Sequence, residues 1–215
     1  MLPVGVIAVE AREDPKDAWL FPEEELMVGN AVDKRRREFT TARMCARAAL
    51  EQLGFGAAAI ASGERGEPLW PEGAVGSITH CEGYRACAVA RSSEIVTVGI
   101  DAEPNAALPD RLIGDIARPE ELPLLSALES RSPGVHWDRL LFSAKESVYK
   151  AWFPLMRCWL GFEEACVSID PADGTFTARL LVDGPVLGGR RLDVFTGSWL
   201  VRDGLIVTAV CVYRC

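Results

Sequence analysis

Residues 142–150, with the sequence FSAKESVYK, lie at the centre of a long predicted helix. Between residues 137 and 155 apolar side chains recur every three or four positions and form one continuous face. This face consists of Leu140, Leu141, Ala144, Val148, Ala151, Trp152 and Leu155. Glu146 and Lys150 lie one turn apart on a common face. The spacing therefore predicts an amphipathic helix that buries one side and carries a charged pair.

Strand candidates follow this helix, and a similar order of elements precedes it. Asp-Gly pairs, which favour tight hairpin turns, separate the later strands at 165–169, 176–182, 192–200 and 205–213. The earlier part of the chain predicts a helix over 33–53, strands at 75–79, 85–91 and 95–101, and short helices at 111–117 and 119–128. The pattern predicts an α+β fold with two pseudo-symmetric halves, 1–104 and 105–215, each a helix packed on an antiparallel sheet.

The predicted strand over 95–101 ends in two carboxylates, Asp101 and Glu103. Alternate residues of an extended chain point to the same side, so these like charges repel each other unless a cation compensates them. The alternative is a solvated strand end without a ligand. Pro104 ends the strand, because proline cannot donate to a sheet ladder.

Three further side chains extend this group. Glu146 and Lys150 form an i,i+4 pair that could equally be a surface ion pair, but Lys145 and Tyr149 add a cation and a phenol beside it. His80 follows the predicted strand over 75–79, where a structural role is the alternative. Three carboxylates, a lysine and a histidine are thus available to a Mg²⁺ ion that holds a pyrophosphate.

Cations concentrate at the start of the first predicted helix, although the chain as a whole is acidic. The cluster comprises residues 34–37, KRRR, together with Arg43 and Arg47. The cluster can be read as a solvated helix face or as a site for a bound polyanion. The second interpretation is chemically reasonable because one guanidinium group can bind two phosphate oxygens at once. The helical wheel places Arg36 nearer than Arg35 to the Arg43 stripe.

Composition excludes several classes of protein. A formal net charge of −8 and a pI near 4.9 argue against nucleic-acid binding. Seven cysteines without a CxxC pair favour a reducing compartment over a disulfide framework. No apolar run approaches the ~20 residues of a membrane span, and acidic residues near the start argue against a signal peptide. A cytoplasmic protein without membrane or nucleic-acid partners is expected.

Three motifs together carry a family resemblance: SITH at 77–80, VGIDAE at 98–103 and FSAKESVYK at 142–150. In this order they resemble the Sfp-type 4′-phosphopantetheinyl transferases, most closely the actinobacterial type II members, over residues 34–160. The resemblance implies an active site in a cleft between two halves. It implies transfer of the 4′-phosphopantetheine arm of coenzyme A to a serine of an acyl or peptidyl carrier protein, with 3′,5′-adenosine bisphosphate as the second product.

The resemblance also implies roles for individual residues. Mg²⁺ would bind Asp101, Glu103 and Glu146 and bridge the two phosphates, and Glu146 would take the serine proton directly or through a water molecule. Lys150 and His80 would neutralise charge on the pyrophosphate. The residues implied in coenzyme A binding are Arg35, Arg43, Arg65, Thr79, His80, Lys145 and Lys150. The choice between Arg35 and Arg36 as a contact of the 3′-phosphate stays open, since the family pattern and the helical wheel differ.

Two other functions fit parts of the pattern. A non-catalytic module that binds coenzyme A or a carrier protein would need the cations but not three carboxylates. A Mg²⁺-dependent phosphohydrolase would use the same carboxylates with water as the nucleophile. The resemblance implies an acidic carrier helix, so an acidic enzyme is expected to dock it through an apolar patch formed by Leu108, Leu112, Ile113 and Leu122. Both halves of the site lie in one chain, which predicts a monomer. These motifs do not distinguish whether the pathway served is fatty-acid, polyketide or peptide synthesis.

Overall fold

The first half of the chain is a three-stranded antiparallel sheet covered by a long helix. The computed structural model describes residues 1–109 and 111–214, so that Cys215 lies outside the described residues. The strands lie in the order β1-β3-β2. The elements are β1 (Val6–Ala11), α1 (Pro22–Met27), α2 (Asp33–Gln52), β2 (Ala74–Cys81) and β3 (Tyr84–Arg91). Small side chains on α2, among them Ala46 and Ala49, pack against Cys87 and Val89 of β3.

The second half is a five-stranded antiparallel sheet in the order β4-β10-β9-β6-β5, with a separate two-stranded ribbon, β7-β8. Helix α5 packs across it, and this contact forms the largest part of the core. The elements are β4 (Ile95–Pro104), α3 (Ile113–Ile116), α4 (Leu122–Arg131), α5 (Trp137–Met156), β5 (Ala165–Asp170), β6 (Thr175–Leu180), β7 (Val186–Leu187), β8 (Arg190–Arg191), β9 (Val194–Arg202) and β10 (Leu205–Tyr213).

Helix α5 approaches β4 very closely at Gly99. A Cβ atom on Gly99 would lie 2.0 Å from the backbone oxygen of Ser147, so only glycine permits this contact. Nearby, the hydroxyl of Thr97 donates to the carbonyl oxygen of Ala151 over 2.9 Å. These contacts fix the position of α5 relative to β4. They thereby determine which side chains of α5 lie near the end of that strand.

The two sheets meet where β2 lies beside β4, and two hydroxyl groups join them. Ser77 Oγ accepts the backbone N–H of Ile100 and Thr79 Oγ1 accepts that of Ala102, each over 3.0 Å. Side chains here replace the backbone ladder that joins ordinary neighbouring strands. The sheet boundary thus lies before β4, whereas the predicted division into 1–104 and 105–215 lies after it.

A buried glutamate anchors the long helix of the first half. Glu24 follows Pro22 at the start of α1 and is fully buried. Its carboxylate accepts the backbone N–H of Phe21, the guanidinium of Arg47 on α2 and the backbone N–H of Ile60, each over 2.9 Å. The carboxylate thereby ties α1, α2 and the following segment together.

The second half repeats this arrangement at Glu121. Its carboxylate accepts the backbone N–H of Arg118 over 2.7 Å, the ammonium of Lys145 on α5 over 2.8 Å and the backbone N–H of Val167 over 2.6 Å. Each of the two glutamates is the last residue of a Pro-Glu-Glu tripeptide, at 22–24 and at 119–121. This short repeat is a signal of the pseudo-symmetry that sequence analysis missed.

The predicted α+β class and both long helices are confirmed, with α2 at Asp33–Gln52 and α5 at Trp137–Met156. Strand β1 and helix α1 were not predicted. The short helix expected over 111–117 is limited to Ile113–Ile116, and the next one begins later, at Leu122. In the described part of the chain no helix is both long and apolar enough to cross a membrane.

Candidate active site

The end of β4 presents a carboxylate that is incompletely satisfied. Asp101 is buried, and its Oδ1 accepts Lys150 Nζ over 2.7 Å and the hydroxyl of Thr79 over 3.3 Å. Its other oxygen, Oδ2, is buried and has no hydrogen-bond partner among the described residues. A buried carboxylate oxygen without a donor is costly, so this atom is suited to a cation.

Glu103 lies two residues further along the same strand and is held by Arg139 of α5. Arg139 donates from one NH group to Glu103 Oε2 over 2.9 Å and from the others to the carbonyl oxygens of Ala106 and Ala107. Burial raises the pKa of Glu103 above its usual value, and the negative charge of Asp101 adds to this rise. Sequence analysis missed Arg139, although it lies two helical turns before Glu146 on the same face of α5.

Glu146 lines a cavity of about 180 Å³ together with Arg65, Tyr149 and Lys150. Burial raises the pKa of Glu146 above its usual value; Lys150 opposes this rise, and Asp101 and Glu103 contribute to it. The carboxylates at the end of β4 and on this face of α5 therefore lie close enough to influence one another.

The oxygen donors of this region suit a hard divalent cation such as Mg²⁺. The unpartnered Oδ2 of Asp101 is the observation that fits such an ion. Within the described ranges, however, no three Asp, Glu, His or Cys side chains are grouped closely enough to hold a metal ion as they stand. Lys150 engages Asp101 and Arg139 engages Glu103, so a metal would have to displace or share these contacts.

A second cavity, of about 290 Å³, is lined by cations of the first half. Arg43 and His80 border it, together with Arg35 and Ser62. Arg43 is buried, donates to Ile60 O and Ser62 Oγ over 2.9 Å each, and burial lowers its pKa to about 10. The two cavities share Gly66, Pro68 and Ile78 as walls and are therefore adjacent: the first lies in the cleft between the halves, and the second opens beside it among residues of the first half.

The two arginines at the start of α2 lie in different surroundings. Arg35 borders the cationic cavity, where its NH1 lies 2.5 Å from His80 Nε2. Arg36 instead forms an ion pair with Glu25 of α1. The helical wheel favoured Arg36, but this side chain pairs with a helix that was not predicted.

Lys145 does not face the cleft, and its expected contact with coenzyme A is wrong. Its side chain is buried in the second half, where Nζ donates to Ile116 O, Glu121 Oε2 and Phe162 O over 2.8–2.9 Å. An ammonium has three donors, and all three are used. Lys145 is therefore a structural cation.

The position of Thr79 also differs from the one expected for a contact of coenzyme A. It is buried, its hydroxyl donates to Asp101, and its oxygen accepts the N–H of Ala102. Thr79 therefore orients Asp101 instead of lining the cleft. The remaining expected residues, Arg35, Arg43, Arg65, His80, Glu146 and Lys150, border one of the two cavities.

Comparison with known proteins assigns both halves to one group. Residues 23–90 match the family model described as the 4′-phosphopantetheinyl transferase N-terminal domain, and residues 97–199 match that of the 4′-phosphopantetheinyl transferase superfamily. The gap between these matches coincides with the sheet boundary before β4.

Full-length relatives agree with these matches. The chain is 53% identical over 215 residues to the 4′-phosphopantetheinyl transferase Svp of Streptomyces mobaraensis, covering 99% of this chain and 87% of the relative. It is 48% identical to the transferase Npt of Nocardia iowensis, covering 98% and 97% of the two chains. It is 45% identical to the transferase PptT of Mycobacterium tuberculosis, covering 94% and 89%.

Proposed function

Because the chain belongs to the 4′-phosphopantetheinyl transferase superfamily and transfers the phosphopantetheine group of coenzyme A to carrier proteins, we propose that Asp101, Glu103 and Glu146 hold a Mg²⁺ ion for this reaction. When bound, the ion supplies positive charge to the pyrophosphate of the substrate. The main support is Asp101 Oδ2, a buried oxygen without a donor in the described part of the chain. Two further carboxylates, with raised pKa values, lie beside it.

In the proposed reaction, the hydroxyl oxygen of a carrier serine attacks the β-phosphorus of coenzyme A. The bond from that phosphorus to the bridging oxygen breaks, and 3′,5′-adenosine bisphosphate leaves. Glu146 accepts the serine proton, directly or through a water molecule. Lys150 and His80 stabilise negative charge on the phosphates.

The cationic cavity supplies the binding site for the nucleotide end of coenzyme A in this proposal. Arg35 and Arg43 lie on α2 and hold the 3′-phosphate, while Arg65 reaches from the loop that separates the two cavities. Charge-assisted hydrogen bonds of this kind are among the strongest available to a protein.

An assay with three components tests the function. Mixing the protein with coenzyme A, Mg²⁺ and an apo carrier protein should increase the carrier mass by one phosphopantetheine arm and release 3′,5′-adenosine bisphosphate in equal amount. Omitting the carrier should stop the release, whereas a phosphohydrolase would continue. Full transfer after chelation of divalent metals would refute the Mg²⁺ assignment, and binding without turnover would indicate a binding module.

We expect Arg43→Ala to raise the KM for coenzyme A by about ten- to a hundredfold relative to that for dephospho-coenzyme A, which lacks the 3′-phosphate. The comparison matters because Arg43 also holds Ile60 and Ser62, and a purely structural defect would raise both KM values. Arg35→Ala should change the ratio in the same direction. Arg36→Ala is the matched control, and a changed ratio there would contradict the assignment.

The expected carrier-docking patch is only partly exposed. Leu108 is 5% exposed and belongs to the core, so its place in the patch was wrong. Ile113 is partly buried against the same core. Leu112 and Leu122 are 43% and 44% exposed, beside α3 and at the start of α4. We propose these two leucines as apolar contacts for the carrier.

Replacing Leu112 and Leu122 together with serine is expected to raise the KM for the carrier by about tenfold and to leave the KM for coenzyme A unchanged. With a net charge of −8, the enzyme does not attract an acidic carrier electrostatically and needs exposed apolar area for docking. The double substitution removes part of that area. Steady-state kinetics at two salt concentrations measure this. The control is Val186→Ser, an exposed residue of the β7-β8 ribbon. Carrier binding that collapses with added salt would favour electrostatic docking instead.

We also propose that the protein acts as a cytoplasmic monomer. One chain supplies both walls of the cleft. The six described cysteines are all free thiols, as expected in a reducing compartment. Sedimentation at working concentration tests the oligomeric state.

A further inference from the structure

His80 lies between two charged residues of α2 that are three positions apart. Arg35 NH1 is 2.5 Å from Nε2 of the imidazole, and Oε2 of Glu38 is 3.8 Å from Nδ1. A guanidinium can only donate, so Nε2 accepts, and the proton of the neutral ring is on Nδ1. That proton faces Glu38.

Glu38 also contacts a cation on the side away from His80. Its side chain is 11% exposed, and its Oε1 lies 3.6 Å from NH2 of Arg85 on β3. Arg85 is in turn fixed by Asp14, whose Oδ2 accepts its NH2 over 3.1 Å, and by the carbonyl oxygen of Cys81, which accepts its NH1 over 2.9 Å. Glu38 therefore has a fixed cation at one oxygen and the imidazole of His80 at the other.

We propose that Glu38 is a positioning residue that allows His80 to become a phosphate-binding imidazolium when the anionic substrate enters. This rests on the proposed contact between His80 and coenzyme A. The phosphates attract Arg35, whose guanidinium moves off Nε2. Nε2 then takes a proton from the buffer and donates it in a hydrogen bond to a phosphate oxygen. Glu38 neutralises the Nδ1 side, and the proton returns to the buffer when the anion leaves.

The charges around His80 agree with this sequence of events. In the ligand-free protein burial is the main cause that lowers the pKa of His80, and Arg35 lowers it further, as do Lys150 of α5 and Arg85 of β3. Glu38 raises it. In the ligand-free protein the lowered pKa favours the neutral ring, and Glu38 is the neighbour that favours the charged form.

NMR can follow this proton directly, because the chain has only two histidines. The variant His136→Gln assigns the two imidazole signals. The probe is 3′,5′-adenosine bisphosphate, which cannot react. We expect it to raise the proton affinity of His80 about tenfold in the wild-type protein and at most about twofold in Glu38→Gln. Glu38→Asp, which keeps the charge but retracts it, should lie between them. Glu51→Gln, an exposed carboxylate on α2, is the matched control and should behave as wild type.

Kinetics supply an independent readout. Glu38→Gln should raise the KM for coenzyme A about tenfold at pH 7, and it should add nothing in a His80→Gln background, because Glu38 acts through the ring. Additive effects in this double-mutant cycle would show a merely structural role and overturn the inference.

The outcomes separate the inference from the function on which it rests. If the wild-type His80 signal does not respond to the bisphosphate, the proposed contact between His80 and the substrate is wrong. If wild type and Glu38→Gln respond equally, Glu38 has no such role, while the proposed function stands. Should Glu38→Gln fail to fold, Glu38→Asp decides the question: a response as large as that of wild type would overturn the inference.

Discussion

Asp101→Asn is expected to lower the rate of phosphopantetheine transfer by about 10²–10³-fold while leaving the fold intact. The substitution keeps the shape of the side chain, so Thr79 and Lys150 can still bind an oxygen at this position. What disappears is the negative charge and the unpartnered oxygen that suit a metal ion. Carrier mass, measured over a series of Mg²⁺ concentrations, provides the rate.

The control for this experiment is Glu94→Gln, an exposed carboxylate next to the start of β4. It removes one negative charge from the same strand region without touching the cleft. Circular dichroism should be unchanged in both variants. Asp101→Asn with full activity at ordinary Mg²⁺ would contradict the metal assignment, and Glu146→Gln offers a second test of it.

Lys145→Met is expected to lower the free energy of unfolding by about 3–5 kcal/mol, because it leaves the buried carboxylate of Glu121 without its cation. Glu121 is 1% exposed and cannot recover the lost interaction from water. Denaturant unfolding measures the change. The surviving folded fraction should keep a normal KM for coenzyme A, since Lys145 does not border the cleft.

Lys34→Met is the matched control, because Lys34 is an exposed lysine on the other long helix. Its effect on stability should stay within about 0.5 kcal/mol. A stable Lys145→Met variant with a raised KM for coenzyme A would instead support the role that sequence analysis assigned to Lys145.

The error at Lys145 was avoidable from periodicity. Lys145 lies four residues after Leu141 and three before Val148, and both belong to the apolar face of α5. The same rule that places Glu146 and Lys150 towards the cleft therefore places Lys145 towards the core. What periodicity could not provide is its partner, since Glu121 lies on a separate segment that only tertiary structure brings close.

Other features depended on long-range contacts in the same way. The pairing of β4 with β10 joins residues more than a hundred positions apart, so local pattern assigned β4 to the wrong sheet. The side chain of Arg36 lies away from the cationic cavity because it forms an ion pair with Glu25. By contrast, the end of β4 and the face of α5 were predictable, because strand alternation and helical spacing fix them within a few residues.

The two hydroxyl groups that join β2 to β4 have a consequence for newly made chains. Thr79 accepts the N–H of Ala102 and donates to Asp101, so one hydroxyl both fastens the halves together and orients the proposed metal ligand. A nascent chain whose halves have not yet docked lacks this orientation. Docking of the two halves is therefore a condition for the orientation of Asp101 that the proposed reaction needs.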